Sequence, residues 1–78
     1  MQNLSFYTGQ QCCLCDDAKA LLQQCHLTKN YAVALIDVKS SHQLYHLYGA
    51  RIPVLKRHTD DSELGWPFDL QQLTEFLT

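Results

Sequence analysis

Three of the four cysteines in this 78-residue chain, Cys12, Cys13 and Cys15, crowd into the stretch Tyr7-Thr8-Gly9-Gln10-Gln11-Cys12-Cys13-Leu14-Cys15-Asp16-Asp17-Ala18. Cys12 and Cys15 form a Cys-x-x-Cys pair, the spacing of a thiol–disulfide exchange site. The species that attacks a disulfide is the thiolate, so one of the two sulfurs needs an environment that favours its charge. The unpaired N–H groups and the dipole of a helix N-terminus supply that, and Cys12 stands where a helix should begin. Cys15, three residues on, comes round beside it on the edge of a buried Leu14/Ala18/Leu22 face. That geometry predicts an accessible nucleophile at Cys12 and a shielded resolving thiol at Cys15. Cys13 points about 200° around the helix from Cys15, away from it, and reads as a solvent-facing variant, with glutathionylation as the one chemistry open to it. Repulsion from Asp16 and Asp17 should partly oppose thiolate formation at Cys12.

A metal reading of the same cysteines is weaker. Zinc wants four ligands, and Cys25 and His26 lie ten or eleven residues further along the helix, a rise of roughly 15 Å. Cys25 is therefore expected to be a small core residue and no metal ligand is assigned within one chain. His42 and His46 stand one helical turn apart but lack a matching thiol or carboxylate, which makes a solvated helix face the better reading.

Elements to position the cysteines can be read on both sides. Leu4-Ser5-Phe6-Tyr7 alternates as a first strand, and Leu14, Ala18, Leu21, Leu22 and Cys25 recur at helical spacing. Tyr31 to Val38 is a β-branched, apolar run of the sort that a strand covered on both faces shows. Strand, helix, strand implies a parallel crossover. Ser40 and Gln43 suggest a capping box opening a second helix, with Leu44, Leu47 and Tyr48 inward, Tyr45 over the sheet, and Gly49 as a left-handed stop. A third strand is expected at Arg51-Ile52-Pro53-Val54-Leu55, a turn at Thr59-Asp60-Asp61-Ser62, and a short edge strand at Glu63-Leu64-Gly65-Trp66. Trp66 beside Pro67 reads as a plug at the end of a small core. Asp69 and Gln72 cap a last helix with Leu70, Leu73, Phe76 and Leu77 on its inner face.

The bulk composition narrows the function classes. A 9.0 kDa chain with 46% hydrophobic residues has room for one core, so residues 1–78 are read as a single domain. A formal charge of −2 and no basic run argue against nucleic acid as a partner. No apolar window approaches the roughly 20 residues of a membrane span. Met1-Gln2-Asn3 carries no basic leader and runs straight into a strand, which gives the expectation of a cytoplasmic protein.

Taken together, the Cys12-x-x-Cys15 pair at a helix start, the βαβ order and the later Ile52-Pro53 before a hairpin resemble the thioredoxin superfamily. The run Cys12-Cys13-Leu14-Cys15-Asp16-Asp17-Ala18 is similar to the Cys-x-Leu-Cys-(Asp/Glu)-x-Ala motif of its short glutaredoxin-like members. The likeness extends to Gly65-Trp66-Pro67-Phe68-Asp69-Leu70 before the last helix. It implies an α/β, thioredoxin-like fold, βαβ followed by αββα, with a central mixed four-stranded sheet flanked by three helices. It also implies a cis Pro53 packed against the cysteine pair, with the Ile52 backbone facing the substrate, and Cys13, Leu14 and Arg51 nearby. Where glutaredoxins have Cys-Pro-Tyr-Cys after a basic residue, this chain has Cys12-Cys13-Leu14-Cys15 after Gln10-Gln11. Arg51 is the one cation in view for a glutathione carboxylate.

The function expected on these grounds is that of a monomeric disulfide reductase exchanging with protein or glutathione mixed disulfides through Cys12 and Cys15. It needs no bound cofactor, only glutathione or a reductase as electron donor. Two rivals stand beside it. A dimer sharing thiols from Cys12 with Cys13 or Cys15 would hold zinc or an iron–sulfur cluster, and would betray itself by colour or stoichiometric metal. A redox-inert interaction module would fail to oxidise reversibly.

Overall fold

The chain runs β1 (Gln2–Thr8), α1 (Cys13–Gln24), β2 (Tyr31–Asp37), α2 (His42–Tyr48), β3 (Val54–Arg57), β4 (Ser62–Gly65) and α3 (Leu70–Leu77). Short 3-10 turns occupy His26–Asn30 and Val38–Ser40. This computed structural model describes residues 2–10 and 12–78. Met1 and Gln11 lie outside the described residues, and with them Met1's part in the leader reading and Gln11's part in the uncharged approach to the cysteines.

The strands form one sheet in the order β2-β1-β3-β4. β1 pairs parallel with β2, Leu4 opposite Val33, and antiparallel with β3, Phe6 opposite Leu55. β4 closes an antiparallel hairpin on β3, turning at Asp61, whose φ of 59° is one an Asp side chain tolerates. The mixed four-stranded sheet with three helices is thus the expected architecture. Because side chains alternate along a strand, β1 feeds two cores. Leu4 and Phe6 pack with Ala18 and Leu22 of α1, Leu55, Phe68, and Leu73 and Leu77 of α3. Tyr7 points the other way, into a smaller cluster with Val38, Tyr48 and Val54. Phe6, Leu55 and Leu73 are fully buried, each worth roughly 1.5–3 kcal/mol in transfer from water. Cys25 is buried in the larger cluster, as read from the sequence.

Several local readings are corrected. β2 is not covered on both faces: it is an edge strand, with Ala32, Ala34 and Leu35 exposed, Leu35 by 62%. An apolar run cannot announce whether a neighbour reaches it. The second helix is capped by Ser41, whose hydroxyl accepts the Leu44 N–H at 3.4 Å, and not by Ser40. Val38–Ser40 is instead drawn into a 3-10 turn, since the Asp37 carboxylate accepts the Lys39 N–H at 2.9 Å. Gly49 has φ −53°, so it is not a left-handed stop. Its lack of a side chain answers a close approach: a Cβ would sit 2.5 Å from the Tyr45 carbonyl oxygen, which accepts the Gly49 N–H at 2.8 Å. Leu14, Tyr45, Leu47 and Leu70 are exposed rather than inward; in the first turn of α1 it is Cys15, with Ala18 and Leu22 further along, that faces the core. β3 begins at Val54, not Arg51, because the N–H groups of Arg51 and Ile52 both turn back to the Tyr48 carbonyl, at 2.8 and 3.0 Å. β4 starts at Ser62, one residue early, and stops at Gly65.

The last helix keeps its expected start. Asp69 accepts the Gln72 N–H at 2.8 Å and Gln72 accepts the Asp69 N–H at 3.0 Å, a complete capping box. The Arg57 guanidinium lies over the Phe76 ring, donates to the Phe76 carbonyl near the helix end, and pairs with Asp60 at 2.8 Å. That pairing holds the Asp60 carboxyl well below the usual carboxylate range.

Candidate functional site

The site is built where β1 ends and α1 begins. Cys12 has extended backbone angles (φ −105°, ψ 101°) and is the N-cap of α1; its carbonyl accepts the Asp16 N–H at 3.2 Å. Its sulfur accepts the Cys15 N–H at 3.1 Å, one of the donors that a helix start leaves without a partner. Cys12 and Cys15 are joined in a disulfide, their Cα atoms 5.1 Å apart. Cys15 is 1% exposed, locked beneath Ala18 and Leu22 on the core face, whereas Cys12 is half-buried and packs against that core from outside. Cys13 is an exposed free thiol on the opposite side of the first turn. The one tip therefore carries an accessible sulfur, a sealed sulfur and a bystander.

Beside it runs a groove of about 490 Å³ lined by Leu14, Ala50, Arg51, Ile52, Val54, Glu63, Gly65 and Trp66. Leu14, from inside the cysteine motif, and Ile52, from the proline loop, share this groove, so the two segments meet at one rim. The Ile52–Pro53 peptide bond is cis, as the resemblance implied, and Pro53 is buried below. The Pro53 carbonyl accepts the Trp66 N–H at 3.2 Å and so fixes the far wall. Trp66 packs edge-on against Phe68 and touches the core while lining the groove, and its bond to Pro67 is also cis. Gly9, at the end of β1, lies so close under Ile52 that a Cβ there would be 2.9 Å from the Ile52 Cδ1. The Ile52 N–H is taken by Tyr48, which leaves its carbonyl as the backbone group that can meet a ligand.

The polar end of the groove is a chain of contacts. The Tyr7 and Tyr48 rings stack at 4.3 Å, the Tyr48 hydroxyl donates to Glu63 at 2.6 Å, and Glu63 pairs with Arg51 at 3.6 Å. Arg51 in turn lies over the Tyr48 ring and donates to the Leu47 carbonyl at 3.2 Å. The hydrogen bond to the Glu63 carboxylate, then burial, then the carboxylate's charge push the Tyr48 phenol up to about 12.

Residues 3–78 match the family model for the glutaredoxin-like domain (DUF836). The chain belongs to the glutaredoxin-like family. The structure is similar to the X-ray structure of Northeast Structural Genomics target protein XcR50 from X. campestris, with TM-score 0.81 and 32% identity over 95% of this chain and 93% of that one. The solution structure of the same target gives TM-score 0.79 over 99% and 92%. Protein Ne2328 from Nitrosomonas europaea gives TM-score 0.77 and 28% identity over 99% and 92%. No curated protein matches the chain.

In this glutaredoxin-like chain the fold brings Cys12 to Cys15 and places Leu14, Arg51 and Ile52 along one groove over the buried Pro53. Cys13 is left outside that groove. Among the described residues, no group of three or more His, Cys, Asp or Glu side chains is placed to hold a metal ion, and no helix is long and apolar enough to cross a membrane. Sequence reasoning missed Glu63 and Tyr48 as site residues. The sequence puts Glu63 in the edge strand and Tyr48 on the inward face of the second helix, and no spacing in the chain announces that they meet.

Proposed function

We propose that this protein is a thiol–disulfide oxidoreductase that reduces disulfides through Cys12 and Cys15. The observation that carries the reading is the division of labour within one bonded pair: an N-cap sulfur at the rim and its partner buried one turn in. In the reduced protein a Cys12 thiolate would occupy the position that accepts the Cys15 N–H, at the positive end of α1. That thiolate attacks one sulfur of a substrate disulfide, forming a mixed disulfide and expelling the other sulfur as a thiolate, which takes a proton from solvent. Cys15 then gives up its proton and attacks Cys12, closing the Cys12–Cys15 disulfide and expelling the second thiolate. Two electrons pass from the protein to the substrate, and glutathione or a dithiol reductase returns them. No metal or nucleotide is required.

Substitution separates the roles. Cys12→Ser should abolish reduction of insulin. Cys15→Ser should instead accumulate a covalent adduct of the substrate on Cys12, read by mass spectrometry. A Cys12→Ser protein that reduces insulin at the wild-type rate contradicts the assignment.

A further inference from the structure

Resting on that dithiol reading, we infer that the groove beside the cysteines selects polypeptide disulfides flanked by apolar residues and disfavours glutathione, with Glu63 as the residue that sets the preference. Two observations lead there. Leu14, Ala50, Ile52, Val54 and Trp66 give the groove apolar surface alongside a polar share of similar extent, and Leu14 stands 47% exposed, between the two reactive cysteines in sequence. An exposed leucine from within the cysteine motif and a tryptophan in the same groove reward a substrate that can cover them.

The second observation is electrostatic. Glutathione carries two carboxylates and one ammonium, a net negative charge, and a site that holds it needs cations. Among the described residues that line the groove, the single cation is Arg51, and it is already committed to Glu63 at 3.6 Å, to the Leu47 carbonyl and to the Tyr48 ring. Glu63 is not a loose partner. The Tyr48 hydroxyl fixes it at 2.6 Å, and Tyr48 is itself clamped on Tyr7. The pair sums to no net charge, while Asp16 in the first turn of α1 and the overall charge of −2 add repulsion. A neutral apolar peptide meets none of this penalty. Its backbone can use the Ile52 carbonyl and its side chains the Leu14–Trp66 walls.

The test uses reduced protein freed of reductant and two oxidants, each of which accepts two electrons from Cys12 and Cys15 and leaves as two thiols. One is oxidised glutathione. The other is the disulfide dimer of a Leu-Cys-Leu tripeptide capped at both ends. Second-order rate constants are read from the loss of alkylatable thiols, each normalised to the same disulfide's rate with dithiothreitol. The apolar dimer should react about tenfold faster or more. Glu63→Gln keeps an acceptor for Tyr48 but releases the Arg51 charge, and should narrow that ratio by about three- to tenfold by speeding the glutathione reaction. Raising the salt concentration with the wild-type protein should narrow it as well, which tests the same idea without a substitution. Equal normalised rates in the wild type, or a ratio that neither Glu63→Gln nor salt moves, overturn the selectivity. A reduced protein that neither disulfide oxidises overturns the dithiol reading itself.

Discussion

Reduction of the Cys12–Cys15 bond should lower the stability of the fold by about 2 kcal/mol. The ring closed by residues three apart in sequence is small, and the chain-entropy relation for a loop of about four residues gives roughly 1.9 kcal/mol at 25 °C. Against a total of roughly 4–12 kcal/mol for a chain of this length, the loss is large. Urea denaturation followed by far-UV circular dichroism, with and without a phosphine reductant, reads it as a midpoint lowered by about 2 M. The double variant Cys12→Ser/Cys15→Ser controls for the reductant and should show no change. By linkage, the same 2 kcal/mol makes the folded dithiol about 40 mV more reducing than the same pair in an unfolded chain. A midpoint that reduction leaves in place, or raises, would refute the reasoning, because the fold would then not favour the bond.

Tyr48 makes the fold sensitive to alkali. Its phenol is held up to about 12 in the folded state against about 10 in the unfolded chain, so its contribution is whole below pH 10 and is lost as pH rises toward 12. Between pH 8 and pH 11 the stability gap between wild type and Tyr48→Phe should close by about 1 kcal/mol in urea titrations; a constant gap would remove the Glu63 hydrogen bond as the cause. Asp69→Ala deletes one half of the α3 capping box and should cost about 1 kcal/mol, whereas Asp69→Asn should recover most of it. Equal losses for the two would show that the cap does not hold α3.

Much of this architecture was legible because local chemistry and packing agree. The Ala18 and Leu22 spacing that buries one face of α1 is also what turns Cys15 inward, so the accessible and sealed sulfurs follow from one helical pattern, although Leu14, expected on that face, stands exposed. Asp69 and Gln72 reveal a helix start because both partners of the capping box lie within four residues. What failed was information that sits far away in the chain or in a choice between equals. Ser40 and Ser41 are the same residue type, and Asp37 decides between them by pulling Lys39 into a tight turn. The apolar run of β2 looks the same at an edge as in the middle of a sheet, and only strand order separates the two. The Tyr7–Tyr48–Glu63–Arg51 chain joins β1, α2, the proline loop and β4, none of which carries a local mark of the others. Gly49 does end α2, but through the Tyr45 carbonyl, which leaves no room for a side chain, and not through a left-handed conformation.

The central claim is that Cys12 and Cys15 interconvert reversibly as a pair. Equilibrating the protein in buffers of graded dithiothreitol poise, alkylating the remaining thiols and mapping them by mass spectrometry tests it directly. The account predicts one two-electron transition in which Cys12 and Cys15 lose their alkylation together while Cys13 and Cys25 keep theirs. A transition that consumes Cys13, or a Cys12–Cys15 pair that stays in one state across the whole range, would contradict it.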